Sequence, residues 1–194
     1  MDTLTDAELV SLSQQGSETA FNQLAKRWEN TLYGFVRRTL GDAEEARDVC
    51  QEALVKAFTN IARLRDGAKF KSWLHYIALN LCRDRFRTAQ YRAKVLSYDE
   101  AGGDRALALA TEGEGTDRGS MATDLSEKLE SLLAGIPAEQ RTAILLREYQ
   151  GFTSEEIGEL TGVPAATVRT RIYYGLKAVR RLMDERGLSR NDFR

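Results

Sequence analysis

The chain has 194 residues, 42% of them hydrophobic, with 28 Lys and Arg against 29 Asp and Glu for a formal net charge of −1, so it can bury one large core or two small ones and is not globally disordered. It contains no apolar run of about 18 residues, which excludes a transmembrane helix. The polar, acidic residues 1–12 make no basic-then-apolar signal peptide, and Cys50 and Cys82 are too few for a disulfide framework, so a cytoplasmic protein with no membrane insertion is expected. Only two prolines are present, Pro137 and Pro164, and the spacing of charged residues predicts an all-α chain.

A short opening helix is expected over residues 6–15. The next, over residues 18–40, carries Phe21, Leu24, Ala25, Trp28, Leu32, Phe35 and Val36 on one side. Residues 42–61 give the clearest pattern: Ala46, Val49, Cys50, Ala53, Leu54, Ala57, Phe58 and Ile61 recur at 3–4 spacing and predict one apolar stripe. Gly41 stops the preceding helix, Asp42 caps the new one, and Glu44, Glu45 and Asp48 suit its positive end. A fourth helix over residues 70–92 turns Phe70, Leu74, Ile77, Ala78 and Leu81 inward. These helices make a first domain over residues 1–95.

Residues 96–123 break the periodicity with Gly102, Gly103, Gly113, Gly115 and Gly119 among scattered acids, and read as a flexible acidic linker with at most one helical turn over residues 106–110. A second domain follows over residues 124–187. Amphipathic helices over residues 125–134 and 138–149 are joined through Pro137, which fits a helix first turn. A short helix over residues 154–160, a turn, and a long helix from residue 165 to about 185 complete it. Residues 188–194 read as a frayed tail.

Residues 153–177 carry the most specific pattern. A helix-turn-helix needs a small residue where its helices cross, a turn glycine, and apolar anchors on the second helix. Gly158 supplies the first and Gly162 the second; Ile157, Leu160, Val163, Val168 and Ile172 supply the anchors. If Val168, Ile172, Leu176 and Val179 face inward, Arg169, Thr170, Tyr173 and Lys177 face outward, with Arg171 and Tyr174 on the flanks. Such a helix can enter a major groove, an Arg forked onto guanine and Lys or Tyr on phosphates; its competitor is an ordinary helical hairpin with a wet basic face.

The near-zero net charge hides an asymmetry. Residues 69–94 hold Lys69, Lys71, Arg83, Arg85, Arg87, Arg92 and Lys94 against Asp84, and residues 165–190 hold Arg169, Arg171, Lys177, Arg180, Arg181, Arg186 and Arg190 against Asp184 and Glu185. Two basic segments separated by an acidic one suggest two contacts with a polyanion. In the first, Phe70, Trp73, Tyr76, Phe86 and Tyr91 interleave with the cations, as suits single-stranded nucleic acid, in which bases stack on rings while cations track the backbone. The outward series Tyr76, Asn80, Arg83 and Arg87 can face that strand, Asn80 can read an extruded base, and the loop of residues 63–71 can enclose it. Core packing is the simpler reading of Phe70, Trp73 and Phe86. Nothing points to an enzyme: His75 is the only histidine, and no phosphate-binding loop, catalytic triad or metal motif appears. Cys50, His75 and Cys82 make no plausible metal site, because Cys50 lies on an apolar stripe and free cysteines are commonly buried. No cofactor is expected.

Three stretches resemble a known family. Residues 42–52 (DAEEARDVCQE) look like region 2.2 of the bacterial group 4, or extracytoplasmic-function, sigma factors of the sigma-70 family. Residues 70–80 (FKSWLHYIALN) resemble their region 2.3–2.4, and residues 136–171 resemble their region 4. The resemblance implies a sigma-2 helical bundle and a sigma-4 helix-turn-helix domain, and a function in directing RNA polymerase to promoters, in a stress or envelope response. It implies that Asp48, Gln51 and Glu52 meet the β′ clamp helices of core RNA polymerase. It places Arg63, Arg65, Lys69, Lys71, Tyr76, Asn80, Arg83 and Arg87 at the −10 element of promoter DNA. It gives Thr167, Arg169, Thr170, Arg171, Tyr173, Tyr174 and Lys177 to the −35 element. The β flap of the polymerase and an anti-sigma factor are further implied partners, and the linker is implied to run toward the RNA exit path. The chain departs from the family pattern at Ala166, at Tyr173-Tyr174-Gly175 and at Ala53-Leu54, which bears on promoter choice rather than on fold. The rival assignment is a one-component helix-turn-helix regulator that binds duplex DNA without polymerase, which a gel shift with and without core enzyme separates; an anti-sigma-like scaffold leaves the two basic segments unexplained.

Overall fold

A computed structural model describes residues 4–99 and 121–188, with the backbone alone for residues 89–99 and 121–127. The described residues form helices only, α1 Asp6–Gln14, α2 Glu18–Leu40, α3 Ala43–Asn60, α4 Phe70–Asp99, α5 Met121–Ala134, α6 Ala138–Ile144, α7 Ser154–Thr161 and α8 Ala165–Glu185. Two single 3-10 turns, Ile61–Arg63 and Gly67–Lys69, lie between α3 and α4, and α6 continues as a π-helical turn, Leu145–Tyr149. The glycine-rich part of the expected linker, residues 100–120, and the tail beyond Leu188 lie outside the described residues. The backbone of α4 runs past the expected domain end to Asp99, and α5 begins at Met121, ahead of the expected residue 125.

The first domain packs α1–α4 around Leu9, Leu24, Leu32, Phe35, Val49, Phe70 and Leu74, all at 1% exposure or less. Its helix ends follow from local chemistry. Thr5 and Glu8 form a reciprocal capping box on α1, Asp42 accepts from Glu45 N at 2.7 Å to start α3, and Gly41, at φ 82°, ends α2 in the left-handed region where a side chain would be strained. The stripe on α3 is narrower than its periodicity predicts: Ala46, Val49, Cys50, Ala53 and Ala57 are buried, while Phe58 is 44% exposed, its ring edge-on to Phe21 at 5.0 Å.

The second domain packs Leu132, Ile136, Ala143, Leu145, Leu146, Ile157 and Val168 together. α7 starts at Ser154, as expected, with Thr153 as its cap and the Glu156 carboxylate accepting from Thr153 N at 2.7 Å to close the reciprocal bond. That double satisfaction of orphan amides makes Thr153→Ala cost about 1 kcal/mol, read as a lowered urea midpoint in circular dichroism. The inward set on α8 needs one correction. Leu176 is 45% exposed, and Gly175 occupies the inward position instead. α8 lies so close to α6 there that a Cβ on Gly175 would meet Ile144 Cδ1 at 2.7 Å and Gln140 Cβ at 3.1 Å, which leaves no room for an inward leucine one step on.

Candidate nucleic-acid interface

The helix-turn-helix is built as its glycines require. A Cβ on Gly158 would meet the Val163 carbonyl oxygen at 2.8 Å, so the absent side chain is what lets the turn approach α7. Gly162 takes φ 73° and donates its N–H to Gly158 O at 2.8 Å, closing α7 and redirecting the chain into α8. Val168 is buried beneath, and Arg169, Thr170, Tyr173, Tyr174 and Lys177 are exposed, with Thr167 and Arg171 half-buried. Arg169 pairs with Glu155 at 3.2 Å, an exposed contact that an incoming phosphate or base can replace at little cost. The Tyr173 and Tyr174 rings meet edge-on at 5.2 Å and stand 63% and 53% exposed, a polar-tipped aromatic surface beside the cations.

In the first domain, Tyr76, Asn80, Arg83 and Arg87 follow one another along α4. Tyr76 is 46% exposed, Asn80 is half-buried and accepts from Arg83 Nη1 at 3.3 Å, and Arg87 pairs with Asp84 at 3.0 Å. The approach to α4 is fastened from below. Gln14 donates to the carbonyls of Ile61 at 3.0 Å and Leu64 at 2.8 Å, and Gly67 fits against α1 so closely that a Cβ would meet Ala7 Cα at 2.8 Å. Arg63, Arg65 and Lys69 stand exposed on this braced segment. Phe70 is fully buried and Trp73 and Phe86 are partly so, which assigns those three rings to packing; the side chain of Tyr91 lies outside the described residues.

Lys71 is a correction. Grouped by sequence with the DNA-facing cations, it is instead partly buried and turned toward the second domain. Its ammonium donates to the backbone carbonyl of Gln150 and lies 4.7 Å from the Phe152 ring centroid and 5.7 Å from that of Trp28. A cation that follows an amphipathic stripe by spacing is drawn out of it by a carbonyl and two aromatic faces remote in sequence.

Asp48, Gln51 and Glu52 lie along α3 and line a shallow groove with Val55, Lys56 and Arg85. Asp48 and Gln51 are exposed, whereas Glu52 is held between Lys56 Nζ at 3.1 Å and Arg85 Nη2 at 3.2 Å. The groove thus offers one anchored carboxylate, one free one and an apolar edge at Val55, 55% exposed.

Sequence reasoning missed His75 and Gln150 as a contact. His75 is fully buried, its Nδ1 2.8 Å from Lys71 O and its Nε2 3.1 Å from Gln150 Oε1, between the rings of Phe35 at 5.4 Å and Phe152 at 5.3 Å. Burial holds its pKa below the usual imidazole value, the hydrogen bonds to Lys71 and Gln150 opposing this in part. The available signal was a second apolar series on α4, Leu79, Cys82 and Phe86, which continues from His75 at 3–4 spacing and is offset from the core stripe. Cys50 and Cys82 are buried, and desolvation pushes both thiols up to about 12, which keeps them protonated and unreactive. No group of three or more metal-ligating side chains comes together among the described residues, and none of their helices is long and apolar enough to cross a membrane.

The chain matches Sigma-70 region 2 over residues 24–92 and Sigma-70, region 4 over residues 126–179. It is 30% identical over 179 residues to the RNA polymerase sigma-H factor of Pseudomonas aeruginosa, covering 90% of this chain and 91% of that protein. To the ECF RNA polymerase sigma-E factor of Haemophilus influenzae it is 33% identical over 184 residues, covering 89% and 92%. It belongs to the extracytoplasmic-function group of the sigma-70 family. Solved folds agree: CnrH in complex with the cytosolic domain of CnrY superposes with a TM-score of 0.69 at 22% identity, over 93% of this chain and 97% of that one. The sigma factor RpoE of Bartonella quintana, in complex with the anti-sigma factor NepR, gives 0.64 at 22% identity, over 84% and 96%. In this sigma factor region 2 therefore runs from within α2 through α3 and most of α4, and region 4 contains the helix-turn-helix.

Proposed function

We propose that this sigma factor binds core RNA polymerase, reads the −35 element with α8 and the −10 element with α4 and its preceding loop, and stabilises the melted strand. The observation that carries the reading is the pairing of two surfaces in one chain: a helix-turn-helix with an outward Arg, Thr, Tyr and Lys face, and a helix presenting Tyr76, Asn80, Arg83 and Arg87. A recognition helix selects duplex sequence by base-edge contacts. An aromatic and Asn surface that takes an unpaired base stabilises only the open state, and so shifts the melting equilibrium without doing chemistry. The polymerase supplies the catalysis. Asp48, Gln51 and Glu52 are assigned to the β′ clamp helices, the second domain to the β flap. Regulation by an anti-sigma factor in a stress or envelope response is part of the same proposal, supported by the partner named for the Bartonella relative.

Run-off transcription with purified core polymerase over a promoter library tests the function and reads its specificity; no product on any promoter overturns it. Asn80→Ala should lose about 1–3 kcal/mol of open-complex stability, the worth of one good hydrogen-bonded base-edge contact, while core binding measured by fluorescence anisotropy is unchanged. Normal initiation by that variant removes Asn80 from the base-reading role. Arg171→Ala should lose about 1–3 kcal/mol at one −35 base pair. A uniform loss over all sequences in a binding titration makes it a phosphate contact instead.

A further inference from the structure

We propose that the cavity walled by α4, α6, α7 and α8 is a binding site for a small amphiphilic carboxylate, one anionic head on an apolar chain of about ten carbons. The site stands on geometry and charge alone. Its consequence, interference with promoter binding, rests on the function proposed above.

The cavity encloses about 270 Å³. That lies just below the ~300 Å³ at which sites for drug-sized ligands begin, so it suits a body of about a dozen non-hydrogen atoms. Its floor is apolar: Leu79, Cys82, Ala143, Ile157 and Val168 line it, and none is more than 2% exposed. Burial keeps the Cys82 thiol protonated, so it puts no charge there. The hydroxyls of Thr39 and Thr161 donate back to Phe35 O at 2.8 Å and Ile157 O at 2.6 Å on their own helices. Neither needs a partner from the cavity. An apolar chain lying on this floor leaves water at a gain and breaks no buried polar contact.

The mouth has the opposite character. Arg83, Arg87 and Glu139 border it, all exposed, and Arg171 reaches it half-buried from α8. Three guanidinium groups against one carboxylate leave the rim positive. These cations are not equally committed. Arg87 is held by Asp84 at 3.0 Å in an exposed pair that contributes little. Arg83 spends Nη1 on Asn80 Oδ1 at 3.3 Å and Nη2 on Thr161 O at 3.2 Å, which leaves donors over from the N–H groups of a guanidinium. Arg171 has no hydrogen bond or ion pair among the described residues. A half-buried guanidinium with open donors at the lip of an apolar cavity selects a planar anion able to accept two parallel N–H bonds, and a carboxylate has that shape. Arg83 and Arg87 are assigned above to the −10 element and Arg171 to the −35 element. A carboxylate held among them occupies cations that promoter DNA needs, so the two ligands exclude each other by mass action.

Calorimetric titration of the full chain with decanoate, kept below its micellar range, should give a single site with a dissociation constant on the order of 100 μM, as suits a ligand of that size. Decanol and decyltrimethylammonium carry the same chain without the carboxylate, and acetate the carboxylate without the chain. Each should bind about tenfold more weakly or worse. At saturation the methyl resonances of Ile157 and Val168 should shift, while those of Ile61, in the first domain's core, stay in place. Thr142 lines the cavity half-buried and is assigned to neither polymerase nor DNA. Thr142→Leu fills the space, and should weaken decanoate about tenfold or more without lowering the thermal midpoint. Arg171→Gln should weaken it about fivefold by removing the open guanidinium. Equal affinity for decanoate and decyltrimethylammonium, binding of several equivalents, or unchanged affinity in both variants overturns the site. Run-off transcription with core polymerase reads the consequence: about 1 mM decanoate should lower the wild-type product about tenfold and leave that of Thr142→Leu unaffected. Binding without that inhibition strikes the regulation and leaves the site standing. Binding by a chain that yields no transcript even without decanoate strikes the promoter reading instead.

Discussion

Replacing Gly158 by valine is expected to unfold the second domain while the first stays folded. In most helices a Gly to Ala change is stabilising by roughly 0.5–1 kcal/mol, because it reduces the freedom of the unfolded chain. At Gly158 the sign reverses. The added Cβ lands 2.8 Å from the carbonyl oxygen of Val163 and 3.5 Å from the backbone nitrogen of Ala165, and neither is the end of a side chain that can rotate away. The turn has to move, and the turn sets the angle between α7 and α8. Alanine should cost about 1–3 kcal/mol as an overpacking substitution, and the branched valine more. Gly175 is the internal control: its Cβ would meet the Cδ1 tip of Ile144 at 2.7 Å, which a rotamer change relieves, leaving the tight 3.1 Å approach to Gln140 Cβ to be met by a small shift of α6, so Gly175→Ala is expected to be milder than Gly158→Ala. Both tryptophans, Trp28 and Trp73, belong to the first domain. Urea unfolding followed by tryptophan fluorescence should keep its main transition in Gly158→Val, while circular dichroism at zero denaturant shows helix already lost. Coincident loss of both signals would show that the first domain depends on the second for its stability.

That same glycine shows why part of the molecule was legible in its sequence. Gly158 and Gly162 are four positions apart on a short helix, and the need for a small contact and a left-handed turn is local, so pattern alone locates them. The caps at Asp42 and the bounds of α2 and α8 are equally local. What escaped is long-range. Lys71 and Gln150 are separated by 79 positions and His75 and Gln150 by 75, and nothing in the periodicity of α4 says which of its two apolar series meets its own bundle and which meets another domain. The misplaced Leu176 has the same origin: a heptad-like count puts it inward, but the close approach of α6 to α8 selects Gly175. On α3 the count overreached at Phe58, whose ring lies over Phe21 at the rim instead of within the core. The assigned DNA-facing residues on α8 are exposed or half-exposed because the inward positions are set by local spacing around Val168. Those on α4 are divided, some exposed and some engaged by the second domain.

The largest functional loss is expected from Asp48→Arg combined with Gln51→Arg. Both side chains are exposed and sit one turn apart on α3, beside the groove edge at Val55, so the change leaves the core of Ala46, Val49, Cys50 and Ala53 untouched. It alters the charge of the proposed polymerase-facing surface by three units, one lost and two gained. Like charges forced together at a protein interface cost several kcal/mol, and about 1.4 kcal/mol is tenfold in affinity, so core binding should weaken by about a hundredfold or more. Glu52→Ala provides the contrast. It removes a carboxylate already neutralised by Lys56 and Arg85, and releasing those two cations into the groove offsets part of what is lost in packing, so its effect should be unequal to that of the double substitution and more sensitive to salt. Native gel comigration with core polymerase reads the first effect and anisotropy at two ionic strengths the second. Full core binding by that variant would move the polymerase contact off α3, and a loss of binding accompanied by loss of helix would assign these residues to the fold instead.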